Sequence, residues 1–227
     1  MTRRPLQELL NSDEPAWPLV QSWVQQATNP VEVLPPSEPA RSDALVAVQV
    51  TTRSPMGAMI YETGGLLVDH GWLRILGSGH ARLPRSLPQW NEGRSRKLDR
   101  GAAYPFFLVA DDAVGGFFAL DGGGLGYGAG EVCYFAPDAL RWESAQNSYT
   151  EFLFFCFKGD LARFYADYRW PGWEAETEGL RGDRAFSIAP PPFIAGKPFS
   201  ERSRRSVPVA ELYGLYVEDF PKQLAGE

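Results

Sequence analysis

Two histidines, His70 and His80, are the side chains of this 227-residue sequence that ordinarily titrate near neutrality. Asp69 directly precedes His70, which raises the idea of an Asp–His pair doing general-base work. Nucleophilic chemistry would also need a placed serine or cysteine, and spacing along the chain does not supply one. Three further carboxylates, Asp111, Asp112 and Asp121, bracket a single apolar hairpin pattern. Gathered in one cleft, they would act as an acid/base pair or hold a hard cation. Aspartate is equally a turn residue, because its side chain accepts local N–H groups.

Other signatures lead less far. Gly124-Leu125-Gly126-Tyr127-Gly128-Ala129 fits G-x-G-x-x-A. Dinucleotide binding needs a helix after that motif, to place its N-terminus at the pyrophosphate. Here the motif runs instead into Glu131 and a β-patterned stretch, so a glycine turn is the simpler reading. GxxxxGK[ST], HExxH, GxSxG and CxxC are all absent from the sequence. The two cysteines, Cys133 and Cys156, sit among apolar neighbours and read as buried reduced thiols. With two histidines beside them, a four-ligand zinc site is not expected, and neither is any other metal or cofactor. Trp72, Trp90, Trp170 and Trp173 stand in less regular segments, where one or more indoles could face a partner or a cleft.

Lysine and arginine number 22 against 28 acidic residues, for a net charge of −6. That balance argues against a nucleic-acid surface. Two basic runs, Arg94-Arg96-Lys97-Arg100 and Arg202-Arg204-Arg205, read as solvated loops. The longest aromatic-aliphatic run, Phe152 to Phe157, is far too short to span a membrane, and no secretory signal is visible. A cytoplasmic location is the simplest expectation.

The elements that must position these residues can be read from pattern. A first helix is expected from near Asp13, with Trp17, Val20, Trp23 and Val24 at helical spacing. A second runs from Arg41 to about Val48. Ser54-Pro55 reads as the cap and first position of a third, ending at Gly64-Gly65. Strands over Leu66 to Val68 and Trp72 to Leu76 flank the turn Asp69-His70-Gly71. Hairpins come next, over 105–120 and 132–144. Ser148 and Glu151 form a capping box for an apolar helix over 149–157, and Asp160 caps a successor. Pro84 to Gly101 and Trp170 to Pro198 look irregular, apart from a strand over 185–189. Ser206 is expected to cap a last helix. Helices on either side of a contiguous β block predict an α+β fold. It is a single domain with a largely antiparallel, curved sheet and helices packed on it. Its core lies at about 54–168, with N-terminal helices within 1–50 and an irregular region plus helix over 169–227.

Two stretches carry a resemblance. The segment from Gln49-Val50-Thr51-Thr52-Arg53-Ser54-Pro55-Met56-Gly57-Ala58 to Asp69-His70-Gly71-Trp72-Leu73-Arg74-Ile75-Leu76-Gly77-Ser78-Gly79 resembles the signature of a bacterial domain-of-unknown-function family, over nearly the full length. The order of the third helix, the hairpin Phe107 to Asp121, Val132-Cys133-Tyr134-Phe135 and Ser148 to Leu153 also resembles the SUKH superfamily, over residues 54 to 157. Many SUKH domains act as bacterial immunity proteins. That resemblance implies a fold and a binding role, with a protein partner such as a toxin and no transferable catalytic residue.

Three readings remain open. One is a cytoplasmic protein-binding module of the immunity kind, monomer or homodimer, using His70, Trp72, Asp69, Asp111, Asp112, Asp121 and Trp90. The second is an enzyme acting on a small polar substrate through an Asp/His cleft. The third is a structural, self-associating protein with aromatic patches.

Overall fold

A computed structural model describes residues 3–95 and 104–226. Arg96, Lys97 and Arg100 of the first basic run lie outside the described residues. Seven strands form one antiparallel sheet in which each pairs with the next in sequence: β1 (Val31–Leu34), β2 (Gly65–Val68), β3 (Leu73–Leu76), β4 (Phe106–Asp112), β5 (Phe117–Asp121), β6 (Glu131–Ala136) and β7 (Arg141–Ser148). Such a meander needs only short connections, except where helices are inserted between β1 and β2 and between β3 and β4. The expected α+β class and antiparallel sheet are therefore present.

Helices cover both faces. Successive strand residues point to opposite sides, and Phe117 and Phe118 show where each side leads. Phe118 stacks on Phe152 at 4.9 Å, within α6 (Tyr149–Lys158). Phe117 meets Trp90 at 6.4 Å, within α5 (Leu87–Asn91), and Tyr213 at 5.1 Å, at the end of α9 (Val209–Tyr213). Coverage on both faces explains why every residue of β2 and β3 is buried and why these strands lack the polar-out alternation of a half-exposed sheet.

Around that centre α1 (Leu6–Leu9), α2 (Trp17–Gln25), α3 (Ala40–Val48) and α4 (Pro55–Glu62) form the N-terminal layer. The Ser54 hydroxyl accepts from Gly57 N–H at 3.1 Å, and Pro55 occupies the first turn, as expected. α2, the helix expected from near Asp13, starts later, with Ala16 at its cap. The capping box at α6 is complete: Glu151 N–H donates to Ser148 Oγ and Ser148 N–H to Glu151 Oε2. Ser148→Ala should lower stability by about 1 kcal/mol, read as a lower urea midpoint with an unchanged slope. The outer side of α6 carries Phe154, exposed and 4.5 Å from Trp23, so the helix is covered on one side only.

Five elements differ from the sequence expectation, among them α1, which precedes the first helix expected. β1 forms over residues for which no element was expected. α5 lies inside the stretch read as irregular, with its own capping box between Ser86 and Gln89. α8 (Trp173–Glu178) comes after α7 (Leu161–Phe164). Ser206 belongs to β9 (Ser203–Pro208), paired with β8 (Arg184–Ala189), and does not cap a helix. Its hydroxyl accepts from Arg184 Nε at 2.7 Å, across the β8–β9 pair. The last helix begins at Val209, passes through a π-helical stretch at Gly214–Asp219 and ends in α10 (Phe220–Ala225).

Candidate functional site

The hairpin between β2 and β3 turns through Asp69, His70 and Gly71, all left-handed, with φ of 51°, 59° and 80°. Glycine adopts that region freely and aspartate tolerates it. Trp72 N–H donates to Asp69 O at 3.0 Å and closes the loop. The turn throws Asp69 and His70 toward the chain beyond α7. Asp69 pairs with Arg169, and His70 Nδ1 lies 2.6 Å from Glu178 Oε1 on α8.

Arg169 is the centre of this end of the molecule. Its guanidinium lies 3.8 Å over the ring of Trp173, 5.0 Å from Trp72 and 5.2 Å from Tyr165. Trp72 in turn contacts Trp173 at 5.2 Å, Trp170 at 5.6 Å and Tyr165 at 5.5 Å. Arg204 closes the far side, 4.4 Å over Trp170 and bonded twice to Glu176, which also takes the Trp170 indole N–H at 2.9 Å. Those bonds, Arg204's first, hold the Glu176 carboxyl below its ordinary value. Trp72 itself is fully buried, so it supports the cluster from beneath, whereas His70, Trp173 and Glu178 reach the surface. Arg204 is therefore no solvated loop residue, in contrast to what its basic run suggested.

Asp111 and Asp112 are placed differently. Arg74 on β3 sits opposite Asp111 on β4, and both are buried. Arg74 Nη2 is 2.5 Å from Asp111 Oδ1, and Arg85 Nη1 is 2.6 Å from Asp111 Oδ2. Two ties reach the C-terminal segment: Arg74 Nη1 donates to Arg184 O at 2.6 Å, and Arg85 donates to Gly182 O through Nε and Nη2, while Arg74 Nη2 also donates to Asp112 O on β4. Asp112 follows Asp111 on β4, and its carboxylate is held by other groups. Its Oδ1 accepts from Val114 and Gly116 N–H at 3.0 and 2.8 Å, and its Oδ2 from the Tyr134 phenol at 2.8 Å. Burial still pushes the Asp112 carboxyl above its ordinary value, against those bonds. Gly116 is required here, because a Cβ would stand 2.1 Å from Asp112 Oδ2. Two arginines and two aspartates thus form a buried quartet whose chemistry is consumed by the fold.

Asp121 has a third role. Its carboxylate accepts four backbone N–H groups, from Gly123 at 2.6 Å, Leu125 at 3.0 Å, Tyr127 at 2.9 Å and Gly128 at 3.1 Å. Burial would raise its pKa, but these donors outweigh it and hold the group down at about 2. The glycine-rich segment is therefore a loop wound on its own carboxylate, and the amides that a pyrophosphate would need are already occupied.

The pairing register separates these groups. Asp121 is opposite Phe106 and Asp111 opposite Phe117, five residues or about 17 Å along the same strand. Asp69, His70, Asp111, Asp112 and Asp121 do not converge on one cleft. Trp90 is buried between Arg85 and Arg94, whose guanidinium carbons lie 4.5 and 4.0 Å from its ring. His80 sits in a tight turn, its Nδ1 accepting from Arg82 N–H. Among the described residues no three His, Cys, Asp or Glu side chains gather as a metal site, and no helix is long and apolar enough to cross a membrane.

Arg202 mirrors Asp121. It is buried and donates to four carbonyls, those of Pro190, Pro191, Ile194 and Lys197, at 2.6 to 3.1 Å. The loop it fixes forms one wall of an open groove of about 400 Å³, whose other wall runs from Asp138 to Arg169. Sequence reasoning missed Arg74, Arg85, Arg169 and Arg202. The one available signal was an arginine or aspartate inside an apolar strand pattern, as at Arg74 and Asp111.

These features define an α+β protein with a meander sheet, a buried ionic centre and an aromatic–arginine cluster at one end. The chain belongs to the family described as protein of unknown function DUF2625, whose profile matches residues 6–212. It is similar to the putative uncharacterized protein YbfG of Escherichia coli K12, with 42% identity over 212 residues, covering 93% of this chain and 95% of that one. It is also similar to an uncharacterized protein of Haemophilus influenzae Rd, 40% identical over 185 residues, covering 82% and 81% of the two chains. No solved structure gives a significant match.

Proposed function

We propose that the protein is a recognition module for another protein, of the immunity kind, and that it grips its partner with the surface formed by His70, Trp173, Glu178 and Arg169. One observation carries this reading. Arg169 and Trp173 are stacked and tied down in advance, on a floor of buried aromatic rings. Tryptophan, tyrosine and arginine dominate the energetics of protein interfaces, and side chains already held in place lose little freedom on binding. The net charge of −6 favours a basic partner through steering. Both cysteines are free and buried, in keeping with the reducing cytoplasm as the place of action. The immunity role itself rests on the SUKH likeness of residues 54 to 157.

The test compares the wild type with Trp173→Ala and Glu178→Arg as baits in lysate of the native host, with quantitative mass spectrometry. One protein should be retained by the wild type and depleted at least about tenfold, or 1.4 kcal/mol, by each variant, and Glu178→Arg, at an exposed side chain, should do so with an unchanged thermal midpoint. Co-expression with toxins encoded beside the gene should protect growth, and the variants should lose that protection. Identical retained sets for wild type and variants, with no protection by either, sink the proposal.

A further inference from the structure

We propose that the groove beside Tyr168 binds a small zwitterion, a free amino acid or dipeptide that carries both a carboxylate and an ammonium group. This goes beyond protein recognition, since it needs no partner chain. The groove encloses about 400 Å³, within the range of about 300–1,000 Å³ usual for small-ligand sites. Both of its walls are fixed beforehand. Arg202 staples one of them through its four carbonyl bonds. The other is held by the Tyr168 phenol, which donates to Asp138 Oδ1 at 2.5 Å. Burial, then that bond, push the phenol well above its ordinary pKa, so it stays a donor at neutral pH.

The charges lining the groove are of both signs and incompletely used. Arg169 spends Nη2 on Asp69 and its face on Trp173, and Nη1 makes no hydrogen bond among the described residues. A guanidinium locked from behind with a free edge is a carboxylate receptor. Lys197 is exposed and has no ion-pair partner among the described residues. Against these stand Asp167, exposed, and Asp138, whose Oδ2 is unused among the described residues. A simple anion meets repulsion from the two aspartates, and a simple cation meets it from Arg169 and Lys197. A ligand bearing both charges satisfies all four groups. Phe199, edge-on to Tyr168 at 5.2 Å, supplies an apolar surface for its side chain.

Backbone-amide NMR titration tests this with glycyl-L-phenylalanine and L-phenylalanine, each also in N-acetylated and C-amidated form. At least one unblocked probe should give saturable shifts at 166–169 and 196–202 at millimolar concentration. Blocking either terminus should weaken binding at least about tenfold. Lys197→Glu and Asp167→Lys alter exposed residues only. Lys197→Glu should weaken the unblocked probe and strengthen the amidated one, which carries only the ammonium, and Asp167→Lys should weaken the unblocked probe and strengthen the acetylated one, which carries only the carboxylate. No saturable shift, shifts elsewhere, or blocked forms binding as well as their parents would overturn the proposal. That failure leaves the protein-recognition reading standing, because the titration contains no second protein.

Discussion

Asp111→Ala is expected to destabilise the protein by about 3–5 kcal/mol, the usual consequence of removing one partner from a buried ion pair. The substitution leaves Arg74 and Arg85 facing each other in the core with no counter-charge between them. Stability of a domain is about 5–15 kcal/mol in total, so the variant should be partly unfolded at physiological temperature. Asp111→Asn keeps the volume and separates charge from packing; it should lose most of the same energy. The triple replacement Arg74→Met, Asp111→Leu, Arg85→Met removes both ion pairs of Asp111 together and should be less destabilised than Asp111→Ala alone. It will not be neutral, because Gly182 O and Arg184 O then lose their donors. Denaturant unfolding followed by tryptophan fluorescence reads all three. An Asp111→Ala midpoint equal to wild type would show that the quartet carries no net stability.

Asp121→Ala should cost about 3 kcal/mol, since hydrogen bonds to a charged group contribute about 1.5–3 kcal/mol each and four N–H groups lose one acceptor but can turn to water. The local effect should exceed the global one. Residues 122–130 are expected to become a site of rapid proteolytic nicking while the sheet persists. The acid profile provides a second readout. The folded pKa of about 2 lies below the ordinary 3.8. The stabilisation is therefore complete above the ordinary value and is lost as pH falls from there toward 2. Wild type should lose stability across that window, and Asp121→Ala should lack that component. Parallel acid profiles for the two proteins would place the loop's order elsewhere.

Much of the frame was legible because it is written in local chemistry. Ser54-Pro55 and the Ser148–Glu151 box announce helix starts, and the hairpins show as apolar runs broken at Gly115-Gly116 and Pro137-Asp138. Short elements escaped. β1 has four residues, too few for a period to show. The Ser86–Gln89 box was present in the sequence but heads a helix of only five residues. α8 has no side-chain cap, with the left-handed Gly172 in that position. Ser206 misled because a serine before an apolar stripe looks like a cap, and only the tertiary partner Arg184 shows otherwise. The turn that carries Asp69 and His70 was readable. Arg169, 100 residues further on, was not, because nothing local marks an arginine that will stack on Trp173. The buried Arg74–Asp111 pair was readable only as an anomaly, charge where pattern expects hydrocarbon.

The ties from Arg74 and Arg85 to Gly182 O and Arg184 O also set a temporal order. On the ribosome the middle strands emerge long before those carbonyls exist. Until residues 182–184 arrive, the guanidinium groups of Arg74 and Arg85 wait with part of their coordination missing. Completion of the interior is thus gated by the synthesis of that segment, about 110 residues after Arg74.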